Sequence, residues 1–132
     1  MIFVDSNILL DIWAPDPVWA PWSQTMLRRM AVQDQLVINP IIYAEISIQY
    51  SVQFVVDSLL NEMGILVLDL PNDASFMAGK AFRQYRKQGG PRTNVLPDFF
   101  IGAHAAVLGA TLLTRDTRRY STYFPSIPLI TP

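Results

Sequence analysis

Short runs of consecutive apolar residues recur along the chain, separated by longer segments with helical periodicity. The runs are continuous rather than alternating, which is typical of strands that are covered on both faces. They lie at Ile2–Val4, Leu36–Ile38, Ile65–Leu68, Thr111–Leu113 and Pro128–Ile130. Because strands that alternate with helices favour βαβ units, the pattern predicts an α/β fold with a parallel five-stranded sheet flanked by helices.

Capping and turn residues set the expected limits of the helices. Asn39-Pro40 is expected to open a helix, and Gly64 to follow the end of one, because glycine readily adopts the left-handed conformation found there. The small residues after Asp98 should let that helix approach a neighbour closely. The other predicted helices are Asn7–Trp13, Trp22–Val32, Val52–Met63, a helix from Asn72 or Asp73 to Lys87, and Asp98–Leu108.

The composition indicates a single globular domain and excludes several kinds of binding site. The chain has 132 residues, of which 51% are hydrophobic and 16% charged, and no repeat or linker divides it, so residues 1–132 are expected to form one domain with a real core. Cysteine is absent, which excludes disulfide frameworks and thiolate metal sites. The net charge of −1 excludes binding of nucleic acid by bulk positive charge.

Membrane insertion and export are not expected from the sequence. The longest apolar stretch, Phe99–Leu113, contains glycine and histidine and is shorter than the ~20 residues of a membrane span. The N-terminus lacks the basic region of a signal peptide, and its apolar run is interrupted by Asp5. We therefore expect a cytoplasmic protein without a membrane partner.

Four acidic residues are expected at one edge of the sheet. Asp5 ends the first predicted strand, and Asp116 follows the fourth. Asp98 opens the helix that leads into the fourth strand, and Glu45 lies in the helix after the second. Because ligands bind at the carboxyl ends of parallel strands, this convergence marks a candidate site.

Clustered carboxylates repel one another unless a cation neutralises them. Oxygen ligands without histidine or cysteine select Mg²⁺ or Mn²⁺, and such an ion commonly serves phosphate chemistry. Taken singly, each acid has an ordinary structural interpretation as a helix cap, a turn residue or an exposed helix residue. Only their convergence favours a functional site.

Four segments in this order and at these spacings resemble the PIN domain, a family of metal-dependent nucleases that includes VapC-type toxins of type II toxin–antitoxin systems. The resemblance extends over essentially the whole chain. The segments are Val4-Asp5-Ser6-Asn7-Ile8-Leu9-Leu10-Asp11, Tyr43-Ala44-Glu45-Ile46, Pro97-Asp98-Phe99-Phe100-Ile101-Gly102-Ala103-His104-Ala105, and Leu113-Thr114-Arg115-Asp116 followed by Tyr123-Phe124-Pro125.

The resemblance implies an endoribonuclease that hydrolyses RNA phosphodiester bonds with metal-activated water. It implies a homodimer that is neutralised by a cognate antitoxin protein. Some relatives carry a further acid near the fourth position, where this chain has Thr117, Arg118 and Arg119, so the number of ions stays open. The implied catalytic residues and ligands of Mg²⁺ or Mn²⁺ are Asp5, Glu45, Asp98 and Asp116, supported by Thr114, Ser6 and Asn7.

Two basic clusters are candidates for contact with the RNA backbone, since phosphate contacts dominate nucleic-acid affinity. A solvated helix face or turn is the alternative interpretation. One cluster surrounds the Gly89-Gly90 turn and the other follows Thr114. The candidate RNA-binding residues are Arg86, Arg92, Arg115, Arg118 and Arg119.

Two other functions compete with the nuclease. One is a different phosphoryl-transfer enzyme or a receiver-like domain, but Asn7 stands where haloacid-dehalogenase phosphatases have a second aspartate, and no receiver-type lysine follows a late strand. The other is a non-catalytic RNA- or protein-binding module. Outside the site, Asp11 is expected to be a carboxylate on a helix surface, and His104 a structural or surface histidine.

Overall fold

Five short parallel strands form one sheet in a computed structural model that describes residues 1–91 and 95–132. The strands are β1 (Ile2–Val4), β2 (Leu36–Ile38), β3 (Ile65–Val67), β4 (Thr111–Leu113) and β5 (Leu129–Ile130). They pair in the order β3-β2-β1-β4-β5. The predicted α/β fold with a parallel five-stranded sheet is confirmed.

Helices connect the strands, and the predicted helices are all present with ends shifted by a few residues. None of the helices within residues 1–91 and 95–132 is long and apolar enough to cross a membrane. The last helix, after Asp116, was missed by the sequence reasoning. The helices are α1 (Ser6–Trp13), α2 (Ala20–Gln33), α3 (Pro40–Ser47), α4 (Gln53–Glu62), α5 (Asn72–Lys87), α6 (Leu96–Leu108) and α7 (Arg118–Tyr123).

The centre of the sheet places two strand ends side by side. β1 is completely buried and pairs with β2 on one side and β4 on the other. The chain therefore leaves β1 and β4 at the point where the strand order changes direction, which is where open parallel sheets bind ligands. Val4 pairs with Leu113, and the Asp5 amide donates to the Leu113 carbonyl at 3.0 Å. Asp5 and Thr114 thus emerge together.

Close packing holds α6 against the end of α7. A Cβ atom on Gly102 would stand 2.4 Å from the Phe124 ring, so only glycine permits this approach. The Phe99 ring also contacts the rings of Tyr85, Tyr123 and Phe124, with centroids 5.3 to 6.0 Å apart. The predicted close approach of this helix is confirmed, and it sets α6 relative to the residues after β4.

Candidate functional site

Asp5 is buried at the end of β1 and is surrounded by hydrogen-bond donors. Its side chain is 3% exposed. Oδ1 accepts from the Ser6 amide at 2.7 Å, and Oδ2 accepts from the Thr114 hydroxyl at 2.7 Å and the Tyr120 hydroxyl at 3.2 Å. Burial raises the pKa of Asp5, and these hydrogen bonds oppose the rise because they favour the carboxylate.

Thr114 ties together the loops that follow β1 and β4. It is fully buried, and its hydroxyl donates to Asp5 while accepting from the Asp116 amide at 3.0 Å. The Asn7 amide nitrogen lies 3.3 Å from Asp5 Oδ2 and 3.4 Å from the Thr114 hydroxyl. Asn7 Oδ1 accepts from the Arg115 amide at 3.3 Å. The structure therefore places Thr114, Ser6 and Asn7 around Asp5.

Glu45 is brought to the site by α3. The Asn39 side chain caps this helix by accepting from the Ile42 amide at 3.0 Å, and Pro40 begins it. Burial and then the charge of Asp5 raise the pKa of Glu45, whereas a hydrogen bond from Ser6 lowers it. Glu45 Oε1 is buried without a hydrogen-bond partner among the described residues. Such an orphaned carboxylate oxygen is costly unless something binds it.

Asp98 lies in the first turn of α6, and its environment strongly raises its pKa. Its pKa is raised to about 7, first by burial and then by the charge of Asp5, with smaller contributions from Glu45 and Asp116. The guanidinium of Arg119 opposes this rise. The charges of the other three predicted acids therefore all act on Asp98 at one edge of the sheet.

Arg119 bridges two of these acids. Its Nη1 donates to Asp98 Oδ2 and lies 3.7 Å from Asp116 Oδ2. Asp116 itself accepts from the Arg118 amide at 3.1 Å, so its side chain also caps the turn that leads into α7. Arg119 was predicted as an RNA-binding residue, and in the structure its guanidinium contacts two of the acids, Asp98 and Asp116.

Asp11 is not the helix-surface carboxylate that the sequence predicted. It is 4% exposed, and it accepts from Arg115 Nε at 2.7 Å and Nη2 at 2.9 Å. The Ser23 hydroxyl donates to it at 2.7 Å, and the Arg115 guanidinium stands 5.1 Å above the Trp19 ring. The prediction failed because α2 and the loop after β4 both cover this face of α1. Arg115 is engaged in this contact rather than extended toward solvent.

Two of the remaining basic candidates, Arg118 and Arg86, are exposed. Arg118 is exposed on α7. Arg86 is exposed near the end of α5, where its Nη1 donates to the Gly90 carbonyl at 2.7 Å. Arg92 lies outside the described residues. A cavity of about 380 Å³ adjoins this region, lined by Tyr85, Asp116, Arg118, Arg119, Thr122 and Tyr123.

Two buried residues near the site play parts that the sequence reasoning missed or left open. Tyr120 is fully buried on α7, donates to Asp5, and has a pKa well above its usual value because of burial and the nearby carboxylates. The aromatic spacing of Tyr120 and Phe124 was the available signal for α7. His104 is structural, as one of its two interpretations had it: it is 1% exposed and lies 3.3 Å from the Asn39 amide nitrogen.

Comparison with known protein families finds one family whose model covers nearly the whole chain. The model of the PIN domain family matches residues 2–125. This chain belongs to the PIN domain family. Comparison with curated protein sequences finds no match.

Solved structures of toxin–antitoxin complexes share this PIN domain fold. VapBC2 from Rickettsia felis, bound to a DNA fragment from its promoter, matches with a TM-score of 0.74 and 21% identity over 100% of this chain and 99% of that chain. VapBC-1 from nontypeable Haemophilus influenzae matches with a TM-score of 0.74 and 24% identity over 99% and 98%. A toxin–antitoxin complex from Klebsiella pneumoniae matches with a TM-score of 0.67 and 20% identity over 100% and 98%. At these identities the likeness shows the fold.

PIN domains generally use divalent metal ions, and the donor set of this chain fits such an ion chemically. The acids offer only oxygen ligands, and the orphaned Glu45 Oε1 is an acceptor in need of a cation. Within residues 1–91 and 95–132, no three acidic or histidine side chains already stand close enough together to hold an ion. One of the four acids, Asp98, already forms a salt bridge with Arg119.

Proposed function

We propose that this chain is a metal-dependent endoribonuclease and the toxin component of a toxin–antitoxin pair. The observation that carries the proposal is the convergence of Asp5, Glu45, Asp98 and Asp116 from four separate segments onto one edge of the sheet, where the other three carboxylates raise the pKa of Asp98. Such convergence is costly in a folded protein and is stabilised by a divalent cation.

Each acid has a distinct part in the proposal. Asp5 is the buried anchor, held as a carboxylate oriented by Thr114 and Tyr120. Glu45, Asp98 and Asp116 are the more accessible ligands of Mg²⁺ or Mn²⁺. The ion, when bound, would supply an acidified water for attack on the phosphodiester and would offset charge on the phosphoryl oxygens. One or two ions remain compatible with four carboxylates.

The exposed arginines supply the contact with substrate. Arg118 lines the cavity beside Asp116, and Arg86 is exposed near the end of α5. We propose that these two residues bind the RNA backbone, with Arg92 in the adjoining segment. Because the net charge is −1, this contact must be local, and its affinity should fall steeply with salt.

The biological setting is proposed from the relatives. The compared structures from Rickettsia felis and Haemophilus influenzae are VapBC complexes, which supports a cognate antitoxin protein as partner. Large apolar side chains such as Ile48, Phe54 and Phe76 are 67 to 83% exposed, as expected of a protein that buries surface against other chains. We propose that residues 1–132 form a single nuclease domain that acts in the cytoplasm as a homodimer.

A metal-dependence assay tests the nuclease activity. The purified chain is incubated with a set of structured RNAs, with Mn²⁺ or with EDTA, beside Asp5→Asn, Asp98→Asn and Asp69→Asn variants. Asp98→Asn is included because Asp5 is packed among donors and its substitution could disturb folding. Cleavage is expected with Mn²⁺ for the wild type and for Asp69→Asn, whose side chain is exposed and outside the cluster.

Cleavage that persists in EDTA, or in a folded Asp98→Asn variant, rejects the metal-dependent nuclease.

The toxin role is tested separately by expression in a bacterial host. Growth should stop when the wild type is induced and should recover when a short neighbouring open reading frame is co-expressed. Growth that is unaffected by the active wild-type enzyme rejects the toxin role and leaves the nuclease intact.

A further inference from the structure

Arg119 lies between two of the acids proposed to bind the metal ion, Asp98 and Asp116. Its Nη1 donates to Asp98 Oδ2 and lies 3.7 Å from Asp116 Oδ2, so one nitrogen serves two carboxylates. The side chains of Arg119 and Asp98 are similarly enclosed, with 25% and 24% exposed. A charged guanidinium in this position offsets like-charge repulsion, as a bound ion does.

One guanidinium does not balance the site. Three other carboxylates act on Asp98 here, and the buried Glu45 Oε1 still has no partner among the described residues. Arg119 has a single positive charge and contacts only one side of the cluster. A divalent ion has a larger charge and can take several carboxylate oxygens at once.

A guanidinium and a divalent ion that bind the same two carboxylates repel each other, because both are positively charged. Arginine is not deprotonated in proteins, so it cannot give way by losing its charge. It can give way only by moving its side chain. Arg119 already lines the cavity of about 380 Å³ beside Asp116, which provides space for a displaced guanidinium.

We propose that Arg119 is a tethered counter-cation that competes with the divalent metal ion for Asp98 and Asp116 and leaves them when the ion binds. The inference rests on the proposed metal-dependent function. Arg119 thereby stabilises the acids in the metal-free protein and raises the metal concentration that the enzyme needs. Its own contact is intramolecular, so it acts without any partner.

Direct measurement of ion binding tests this competition without relying on activity. Binding of Mn²⁺ and Mg²⁺ to the full chain is measured by isothermal titration calorimetry at about pH 8, where protons compete least for the carboxylates. The variants are Arg119→Gln and Arg118→Gln. Arg118 is the matched control, because its loss changes the net charge equally while the backbone amide that bonds to Asp116 is retained.

Arg119→Gln is expected to bind Mn²⁺ about tenfold more tightly than the wild type, since one partly screened charge no longer has to be displaced. Arg118→Gln is expected to stay near the wild-type affinity. Arg119→Lys keeps the charge on a side chain that lacks the planar fork and should give an intermediate affinity. If Arg119→Gln does not fold, the Mn²⁺ affinity of Arg119→Lys tests the competition instead: tighter binding than the wild type supports it, and equal or weaker binding overturns it.

Thermal unfolding provides the second measurement. Arg119→Gln should melt below the wild type in EDTA, because the carboxylates lose their counter-cation. When Mn²⁺ is added, the melting temperature of Arg119→Gln should rise by more than that of the wild type, because tighter binding to the folded state stabilises it more.

The possible results separate this inference from the proposed function. A wild type that binds Mn²⁺, with an Arg119→Gln variant that binds it equally or more weakly, overturns the role of Arg119 and leaves the nuclease in place. If neither the wild type nor any Arg119 variant binds Mn²⁺ or Mg²⁺, both proposals fall. Binding by Arg119→Gln alone supports the competition in its strongest form.

Discussion

Arg115 donates two hydrogen bonds to the carboxylate of Asp11, from Nε at 2.7 Å and from Nη2 at 2.9 Å. The two residues are 104 positions apart, so the contact fastens the loop after β4 to α1. Because Asp11 is buried and Arg115 is partly exposed, the two partners are not equivalent. Loss of the arginine leaves a buried charge behind, whereas loss of the aspartate leaves a charge that water can reach.

We predict that Arg115→Ala lowers the free energy of unfolding by about 3 kcal/mol or more. Asp11→Ala should lower it by less. The Ser23 hydroxyl would remain as the partner of Asp11 but cannot neutralise it. Urea unfolding of both single variants and the double variant measures the coupling. Additive single effects of less than about 1 kcal/mol each would show a surface-type pair instead.

Thr114 is predicted to be needed for metal affinity as well as for stability. Thr114→Val removes the donor to Asp5 and the acceptor of the Asp116 amide, so unfolding should become easier by about 1–3 kcal/mol. Mn²⁺ affinity should fall in the same variant because both acids lose their orientation. Thr114→Ser keeps the hydroxyl and should stay close to the wild type in both measurements. Equal behaviour of the two variants would contradict this role.

The packing of α6 should override helix propensity at Gly102. Alanine normally stabilises a helix interior by up to about 1 kcal/mol relative to glycine. At Gly102 its Cβ would collide with the Phe124 ring, so Gly102→Ala should destabilise by about 1–3 kcal/mol. Gly79→Ala in α5 is the matched control, since nothing lies within 4 Å of its Cβ, and it should stabilise. Thermal unfolding of the two variants should shift in opposite directions.

The metal-free protein should lose stability as the pH rises. The pKa of Asp98 is raised from 3.8 to about 7 in the folded state, so its contribution is full below the unfolded value and is lost as the pH rises through 7. The pKa of Glu45 is raised as well and acts in the same direction. Melting temperatures in EDTA should therefore fall as the pH rises toward about 7 and level off above that value, and Asp98→Asn should flatten the profile. An upward slope would contradict the raised pKa of Asp98.

His104 limits that window on the acid side. Burial lowers its pKa below 6.5, so the unfolded chain takes up a proton more readily than the folded one. This contribution favours unfolding as the pH falls through that range, which is opposite in sign to that of Asp98. Measurements above about pH 6.5 keep the two effects apart.

Nuclease activity should have the reverse dependence on pH. Carboxylates must be ionised to bind a metal ion, so cleavage with limiting Mn²⁺ should decline as the pH falls through about 7, where Asp98 takes up a proton. Saturating Mn²⁺ should move this decline to lower pH, because the ion competes with the proton. The measurement is the initial cleavage rate at two Mn²⁺ concentrations across the pH range. A rate that does not change with pH would argue against ionised ligands.

The fold and the acidic residues were readable from the sequence because they depend on local pattern. Each strand is a continuous apolar run in a sheet covered on both faces, and each run was found. Asp5 follows such a run directly and Asp116 stands three residues after another, so a parallel sheet is enough to bring them to one edge. Asn39-Pro40 and Gly64 marked helix ends by their own conformational preferences.

Only the tertiary structure decided the partners of the charged side chains. Arg115 and Arg119 look alike in the sequence, four residues apart beside Asp116, yet one binds Asp11 on α1 and the other bridges Asp98 and Asp116. Their partners come from distant segments, and α7, which aims Arg119, is only six residues long. Apolar periodicity determined the sheet and hence where the acids meet. The packing of α1, α6 and α7 determined which positive charges meet them, because long side chains pair across elements that sequence spacing does not relate.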